Sequence, residues 1–362
     1  MKPLGAFRHF DGRRPVVWAF TPYLTRDRKL IGESYDNEQT KAEVACAFHS
    51  LGLPWIWQPI VPGSLDDVIA QVVRCRQKSE TVVFNFCDGD DVNGYPGLTV
   101  LKALEETGIP FTGADSGFYE ISTSKVKIKE ALIAAGVSTA PFDILPQSGP
   151  IDGFCERPGA PLFVKPAVSA AGWGLTLRSV IHINAEIEAC RDELTSGEMA
   201  QCFLHDTIFV ERFIEGPEFT VFLGGYWDEP DEIWTLPPAQ RVFDPAIPEE
   251  QRILCNERLG RPYYHDEACP EDMAEPLKNI ARRAYRAVAG TSYGRVDIRQ
   301  DRATGELFVL EVNANPGISG DEDIVSVGCC LRLADMTFAD LLAVIIQQTL
   351  DRAQEVRQAN VA

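Results

Sequence analysis

The chain reads as an α/β unit followed by α+β units. Apolar strand-like runs alternate with amphipathic helix-like segments through the first third, which is the signature of a small parallel sheet covered by helices. Beyond that point strands come in runs, with helices set apart from them, as in α+β units. The 362 residues, 45% hydrophobic and 24% charged, suit two or three globular domains.

Each element follows from its pattern. "RPVVWAFTP" predicts a buried strand and "NEQTKAEVACAFHSLGL" an amphipathic helix ending at Gly52. "LDDVIAQVVRCRQK" predicts a helix, "ETVVFNF" a strand, and "GLTVLKALEETGIP" a helix closed by Gly108 and Pro110. These make an α/β unit over residues 1–118. "STSKVKIKEALIAAGVSTAP" predicts a helix with a serine or threonine cap, stopped at Gly136. "PLFVKPAVSAAGWGLTLRSV" predicts two strands around a glycine-containing loop, followed by the helix "NAEIEACRDEL" and the strand "TIFVERFI". A second unit is therefore expected over 119–208. The third, 209–362, holds "GPEFTVFLGG", a polar, proline-rich excursion at 228–270, the helix "EDMAEPLKNIARRAYRAVAG", a hairpin and the closing helix "TFADLLAVIIQQTLDRA".

Charge and composition narrow the function. A formal net charge of −19 without a compensating basic block disfavours nucleic acid and anionic membranes as partners. The opening "MKPLGAFRHFDGRRPVVW" has no uninterrupted apolar stretch, and no later run reaches the ~18 residues of a spanning helix. A soluble, cytoplasmic protein facing small molecules is expected. The ten cysteines are scattered without CxxC spacing and are expected to be reduced.

The hairpin "GRVDIRQDRATGELFVLEV" carries the chemistry. With period two, Arg295, Asp297 and Arg299 share one face of its first strand, and Leu307, Val309, Glu311 and Asn313 one face of its second. A hairpin symmetric about Thr304 sets Asp297 opposite Glu311, where like charges repel. A hard divalent cation between them removes the repulsion, because Mg²⁺ takes carboxylates together with phosphate oxygens, and the Asn313 amide can complete the set. A solvated hairpin end with an Asp–Arg cross-strand pair is the alternative. Phosphate needs cations, and Lys165 follows an apolar strand beside the small-residue stretch "AVSAAGWG", whose backbone N–H groups can approach phosphate oxygens. Lys125 sits near a helix start. "IFVERFIEGPEFTVF" offers Glu211 after an apolar strand and Glu218 after a Gly-Pro turn, suited to an adenine edge and a ribose, or else to a polar connector.

Together these segments resemble the ATP-grasp superfamily, and within it the D-alanine–D-alanine ligase branch. "GIPFTGADSGFYEISTSKVKIKEALIAAGVSTAP", "FVKPA", "VERFIEGPEFTV", "GRVDI" and "LEVNANPGIS" occur in that family's order, and "LADMTFADLL" is similar to its closing helix. The resemblance implies a three-domain architecture with ATP held between the central and C-terminal domains. It implies Lys125 and Lys165 on ATP phosphates; Glu211, Phe213, Ile214 and Leu310 around adenine; and Glu218 on ribose. Asp297, Glu311 and Asn313 would hold two Mg²⁺ ions, for which Mn²⁺ can substitute, and Arg295 would stabilise the transferred phosphoryl group. The implied reaction joins a small-molecule carboxylate to an amine through an acyl phosphate, in a protein for which a homodimer is compatible. A closing loop is expected at 166–174 or 244–268.

Departures from the family pattern fall on the substrate side. The family's "GGxSxEH" and "HGxxGEDG" elements are replaced by "TPYLTRDRKLIGESYDNEQT" and "FCDGDDVNGYPG", and its loop lysine is missing, leaving Arg258 and Arg261 as substitutes. Its "SHSLVP" element, which meets the second substrate's carboxylate, becomes "GDEDIVSVG". An altered, non-D-alanine substrate site is expected. A true D-alanine–D-alanine ligase and a catalytically silent nucleotide-binding protein are the alternatives.

Overall fold

The structure is a computed structural model that describes residues 10, 14–26, 29–32, 38–89, 94–149, 151, 161–169, 172, 174–196, 206–255, 258 and 263–359. Its first unit is built on β1 (Val16–Arg26), joined by β2 (Lys29–Gly32), α1 (Glu38–Ser50), β3 (Trp55–Ile60), α2 (Leu65–Arg76), β4 (Thr81–Asn85) and α3 (Leu98–Thr107). Strands β3 and β4 flank β1 in parallel, and β2 pairs antiparallel with its outer half. Both faces of β1 are covered. Val17 and Ala19 pack with Val44 and Phe48 of α1, whereas Trp18 and Phe20 pack with Val68, Val72, Val100 and Leu104 of α2 and α3. A strand buried on both sides reads as an unbroken apolar run. Strand β3 was not anticipated, since "WIWQPI" neither alternates nor lacks proline.

Two short helices follow, α4 (Ser116–Ser122) and α5 (Lys125–Ala134), whose N-caps Asp115 and Ser124 accept from backbone N–H groups in the first turn. A small antiparallel sheet comes next, from β5 (Phe142–Ile144), β6 (Leu162–Pro166), β7 (Val180–Ile181), α6 (Asn184–Ser196) and β8 (Ile208–Arg212), in the strand order β5-β8-β6-β7. Helix α6 seals one face with Ile187 and Leu194. The boundary expected after residue 208 falls inside β8, which pairs with β6 as far as Arg212.

The large sheet contains β9 (Glu218–Gly224), β10 (Trp234–Thr235), β11 (Ala239–Phe243), β12 (Tyr264–Ala268), then, after α7 (Ala274–Ala287), β13 (Tyr293–Gln300) and β14 (Leu307–Ala314). It is antiparallel, with the order β12-β11-β9-β13-β14 and β10 beside β9. Its back face, Phe219, Val221, Leu223, Val296, Ile298, Val309 and Val312, packs on Leu277, Ala281, Ala284 and Tyr285 of α7 and on Ile128 and Leu132 of α5. Each of its larger side chains contributes about 1.5–3 kcal/mol on burial. Helices α8 (Ser326–Leu333) and α9 (Phe338–Ala359) close the chain, and their core is shared with α1. Among the described residues no helix is long and apolar enough to cross a membrane, and the described cysteines are free thiols.

One expectation about the hairpin is corrected. Asp297 does face Glu311, but the register shifts between Asp297 and Ile298, so that Ile298 pairs with Val309 and Leu310 is the extra residue of a bulge. A one-residue shift exchanges the faces of everything beyond it. Val309 therefore lies on the core face, away from Glu311, and Phe308 takes its place on the other, where it packs with Ala140 and Ile214.

Candidate active site

The front face of the large sheet carries its polar residues in rungs, because cross-strand partners share a face. Across one rung run Asp266, Arg241, Glu218, Arg299 and Phe308; across the next, Thr220, Asp297 and Glu311; across the third, Phe222, Arg295 and Asn313. The opposed carboxylates of the hairpin are thus part of a wider charged surface spanning five strands. Burying that many charges is tolerated only when each is paired.

The pairing is dense. Asp297 accepts from Thr220 Oγ1, from Asn313 Nδ2 at 3.0 Å and from the Arg295 guanidinium at 3.0–3.2 Å. Burial alone would raise its pKa, but Arg295 and Arg241 outweigh that and hold it below the usual carboxylate range. Glu311 lies 3.2 Å from Lys125 Nζ and is more exposed than Asp297. Lys125 begins α5, as expected of a residue near a helix start, and it also donates to the Ser169 carbonyl and hydroxyl. Glu218 is held by Arg241 at one oxygen and by Arg299, at 2.9 Å, at the other. Arg299 donates further to the Ile214 and Arg252 carbonyls and lies 5.0 Å from the Phe213 ring.

The small sheet supplies the facing wall. Phe163 pairs with Glu211 and Lys165 with Phe209, so Lys165 and Glu211 share a face of β6 and β8 and their charged groups meet at 2.5 Å. Lys129, one turn beyond Lys125 on α5, reaches Glu211 from the other side, also at 2.5 Å, and donates to Thr139 Oγ1 and the Ala140 carbonyl. All three charged groups are buried. Burial would raise the Glu211 pKa, yet Lys129 and Lys165 pull it down to about 2. Lys129 is itself lowered, first by burial and then by Lys165, against the pull of Glu211. The cluster thus holds two cations and one anion.

The sequence-predicted residues fall on two sets of elements that meet through the Lys125–Glu311 and Arg299–Ile214 contacts: Lys165 and Glu211 are on the small sheet, Phe213 and Ile214 just after it, and Lys125 starts α5. Glu218, Arg295, Asp297, Leu310, Glu311 and Asn313 lie on the large-sheet side. The candidate closing segments meet each other, since a Cβ on Gly172, at φ +77°, would come 3.0 Å from the Leu254 carbonyl. Ile253 and Cys255 pack with Phe163, Leu175 and Phe213. Arg258 turns back onto its own loop, donating to Gln251, and Arg261 lies outside the described residues. Three residues escaped the sequence reading. Lys129 had a signal, the i, i+4 spacing from Lys125 on one helix face, and Arg299 was on the correct strand face without an assigned role. Arg241 sits in the proline-rich excursion and had none.

Two antiparallel sheets joined through buried lysine–carboxylate contacts are the arrangement of the ATP-grasp fold. Comparisons with known proteins agree. Residues 133–347 match the family described as D-ala D-ala ligase C-terminus. The chain is 30% identical over 253 residues to the D-alanine–D-alanine ligase of Marinobacter nauticus, covering 70% of each chain. It is 27% identical over 273 residues to D-alanine–D-alanine ligase B of Xanthomonas campestris, covering 74% of this chain and 78% of that one. The crystal structure of the Bacillus anthracis D-alanine–D-alanine ligase complexed with ATP is similar with a TM-score of 0.67 at 18% identity, over 94% of this chain and 99% of that one. The chain belongs to the D-alanine–D-alanine ligase family of ATP-dependent carboxylate–amine ligases.

Proposed function

We propose that the protein joins a carboxylate to an amine through an acyl phosphate, at the expense of ATP, and that its substrates differ from D-alanine. The observation that carries the first part is the cross-strand Asp297–Glu311 pair, flanked by Arg295 and Lys125. A carboxylate is a poor electrophile. Its oxygen attacks the γ-phosphorus, ADP leaves, and the amine then displaces phosphate from the acyl carbon and loses a proton as the amide forms. Lys125 and Lys165 neutralise phosphate charge, Glu211 with the Phe213–Ile214 segment and Leu310 surrounds adenine, and Glu218 accepts from ribose hydroxyls. Arg295 positions Asp297 and offers positive charge to the phosphoryl group in flight. Two carboxylates and an amide oxygen on adjacent rungs fit a hard, oxygen-seeking cation, so Asp297, Glu311 and Asn313 would hold Mg²⁺, which would supply charge neutralisation at the phosphates. Three units are part of this reading, with the boundary of the central unit moved past Arg212 to keep its sheet whole.

The second part rests on the 315–325 loop. It leaves β14 after Ala314 and returns to the front face at Ser326, whose hydroxyl accepts from Arg241. Three of its donors are taken by this chain's own acids. Glu43 of α1 accepts from Ser319 Oγ at 2.7 Å and from the Gly320 N–H at 2.6 Å, and Asp321 accepts from the Asp323 N–H at 3.0 Å. Glu322 is paired with Arg332. A second amino acid would bring a carboxylate toward acids whose hydrogen-bond partners are engaged, and its desolvation would go unrecovered. An acceptor amine without a neighbouring free carboxylate is favoured.

The test is a panel of acid and amine pairs assayed for ADP release, with the product mass measured. The ligase reading predicts a product equal to the two substrates less one water, and one ¹⁸O in released phosphate from an ¹⁸O-labelled acid. ADP release without a condensed product overturns it.

A further inference from the structure

Lys129 is buried more deeply than either lysine assigned to phosphate, at 1% exposure against 9% for both Lys125 and Lys165. It has no open path to a ligand of its own. Its ammonium is spent on Glu211, Thr139 and Ala140. Burying an ammonium group to that depth is costly unless it serves a partner, and the partner here is a carboxylate that already has one lysine.

We infer that Lys129 is a positioning residue whose charge neutralises Glu211, so that the charge of Lys165 remains available to the nucleotide phosphates. Without Lys129, Glu211 and Lys165 form a closed neutral pair at 2.5 Å, and Lys165 must leave that pair before it can serve phosphate. With Lys129, the cluster carries two positive charges and one negative, all buried. The most exposed member of the cluster is Lys165, which also lies 4.2 Å from the Phe163 ring. Against burial, both lysines pull the Glu211 pKa down, whereas that of Lys129 is lowered first by burial, with Lys165 adding to it. The hydroxyl of Thr139, which accepts from Lys129, itself donates to the Val309 carbonyl on β14, next to the Leu310 bulge. Lys129 thereby fixes the cluster to both sheets.

This inference rests on the reading of Lys165 as a phosphate lysine, and its test separates the two. Binding of Mg-ATP, Mg-tripolyphosphate and adenosine is measured by calorimetry on the intact protein and on Lys129→Met, Glu211→Gln and the double variant, with thermal melting to follow folding. Lys129→Met should weaken tripolyphosphate by about tenfold to a hundredfold and change adenosine little. The double variant again leaves Lys165 with an uncompensated charge and should recover most of the tripolyphosphate affinity, although Glu211 is gone. Equal loss for adenosine and tripolyphosphate, or a double variant no better than Lys129→Met, overturns the role of Lys129. A Lys165→Ala variant that binds tripolyphosphate as tightly as the intact protein overturns the phosphate reading instead. If Lys129→Met does not fold, the comparison of Glu211→Gln with the double variant still decides. The inference predicts that they bind tripolyphosphate alike, because Lys129 no longer has a charge to neutralise; a large further loss in the double variant contradicts it.

Discussion

Two surfaces of the molecule treat charge differently. On the front face of the large sheet the buried acids are met by cations: Glu218 by Arg241 and Arg299 of the two neighbouring strands, Asp297 by Arg295 of its own strand. On the 315–325 loop the partners of Ser319, Gly320 and Asp323 are acids, and one of them, Glu43, comes from a different unit of the chain. The first arrangement, on the proposed function, is the side that meets the nucleotide. The second, on the proposed function, disfavours an incoming anion. A family member can therefore keep its nucleotide chemistry while changing what it joins, because the two functions rest on separate sets of hydrogen bonds.

The largest effect that would break this comparison is expected at the metal-side pair. Glu311→Gln should leave thermal unfolding almost unchanged, since the side chain is half-buried on the front face of β14 and glutamine has its shape, yet reduce turnover by roughly a hundredfold or more. Near-normal activity at saturating Mg²⁺ would remove Glu311 from the site and with it the contrast.

The next effect is on stability. The Glu211 pKa is lowered from 4.5 to about 2, so its pairing stabilises the fold fully above pH 4.5 and is lost as pH falls through 2. The shift corresponds to a contribution on the order of 3 kcal/mol. Urea unfolding between pH 5 and 3 should show a smaller loss of stability for Glu211→Gln than for the intact protein. Parallel curves would mean that the carboxylate is not held by its lysines.

Smaller effects sharpen the comparison. Glu218→Ala should reduce discrimination between ATP and its 2′,3′-dideoxy analogue by about tenfold, the worth of one charge-assisted hydrogen bond; unchanged discrimination would leave Glu218 as an ion-pair partner only. Glu43→Ala should release the Ser319 hydroxyl and the Gly320 N–H, raising kcat/KM for D-alanine by about threefold to tenfold with KM for ATP unchanged. No change with D-alanine would argue that this loop does not meet the acceptor.

Local pattern predicted much of this. The Asp297–Glu311 pairing followed from strand period and turn position, and Lys125 and Lys165 from their places at a helix start and a strand end. The Leu310 bulge did not, because an extra residue in one strand leaves no mark in a run as apolar as "LFVLEV", and the error moved Val309 to the wrong face. Arg241 was invisible for a different reason. Its role depends on a long-range neighbour relation, β11 beside β9, inside a stretch whose prolines suggested a loop. Lys129 looked like one lysine among several on "SKVKIKEAL", and only the fold shows that its face of α5 is buried against Glu211. The Glu43 contact with the loop joins residues far apart in the chain and could not be reached by periodicity.

The central claim, that the nucleotide side is intact while the substrate side has changed, is tested most directly by steady-state ADP production with D-alanine as the only substrate beside a panel of other acids and amines. The account predicts slow, poorly saturating turnover with D-alanine and faster condensation for at least one pair whose amine lacks a free carboxylate. Efficient formation of D-alanyl-D-alanine, saturating at roughly millimolar concentrations or below as physiological substrates do, would contradict it.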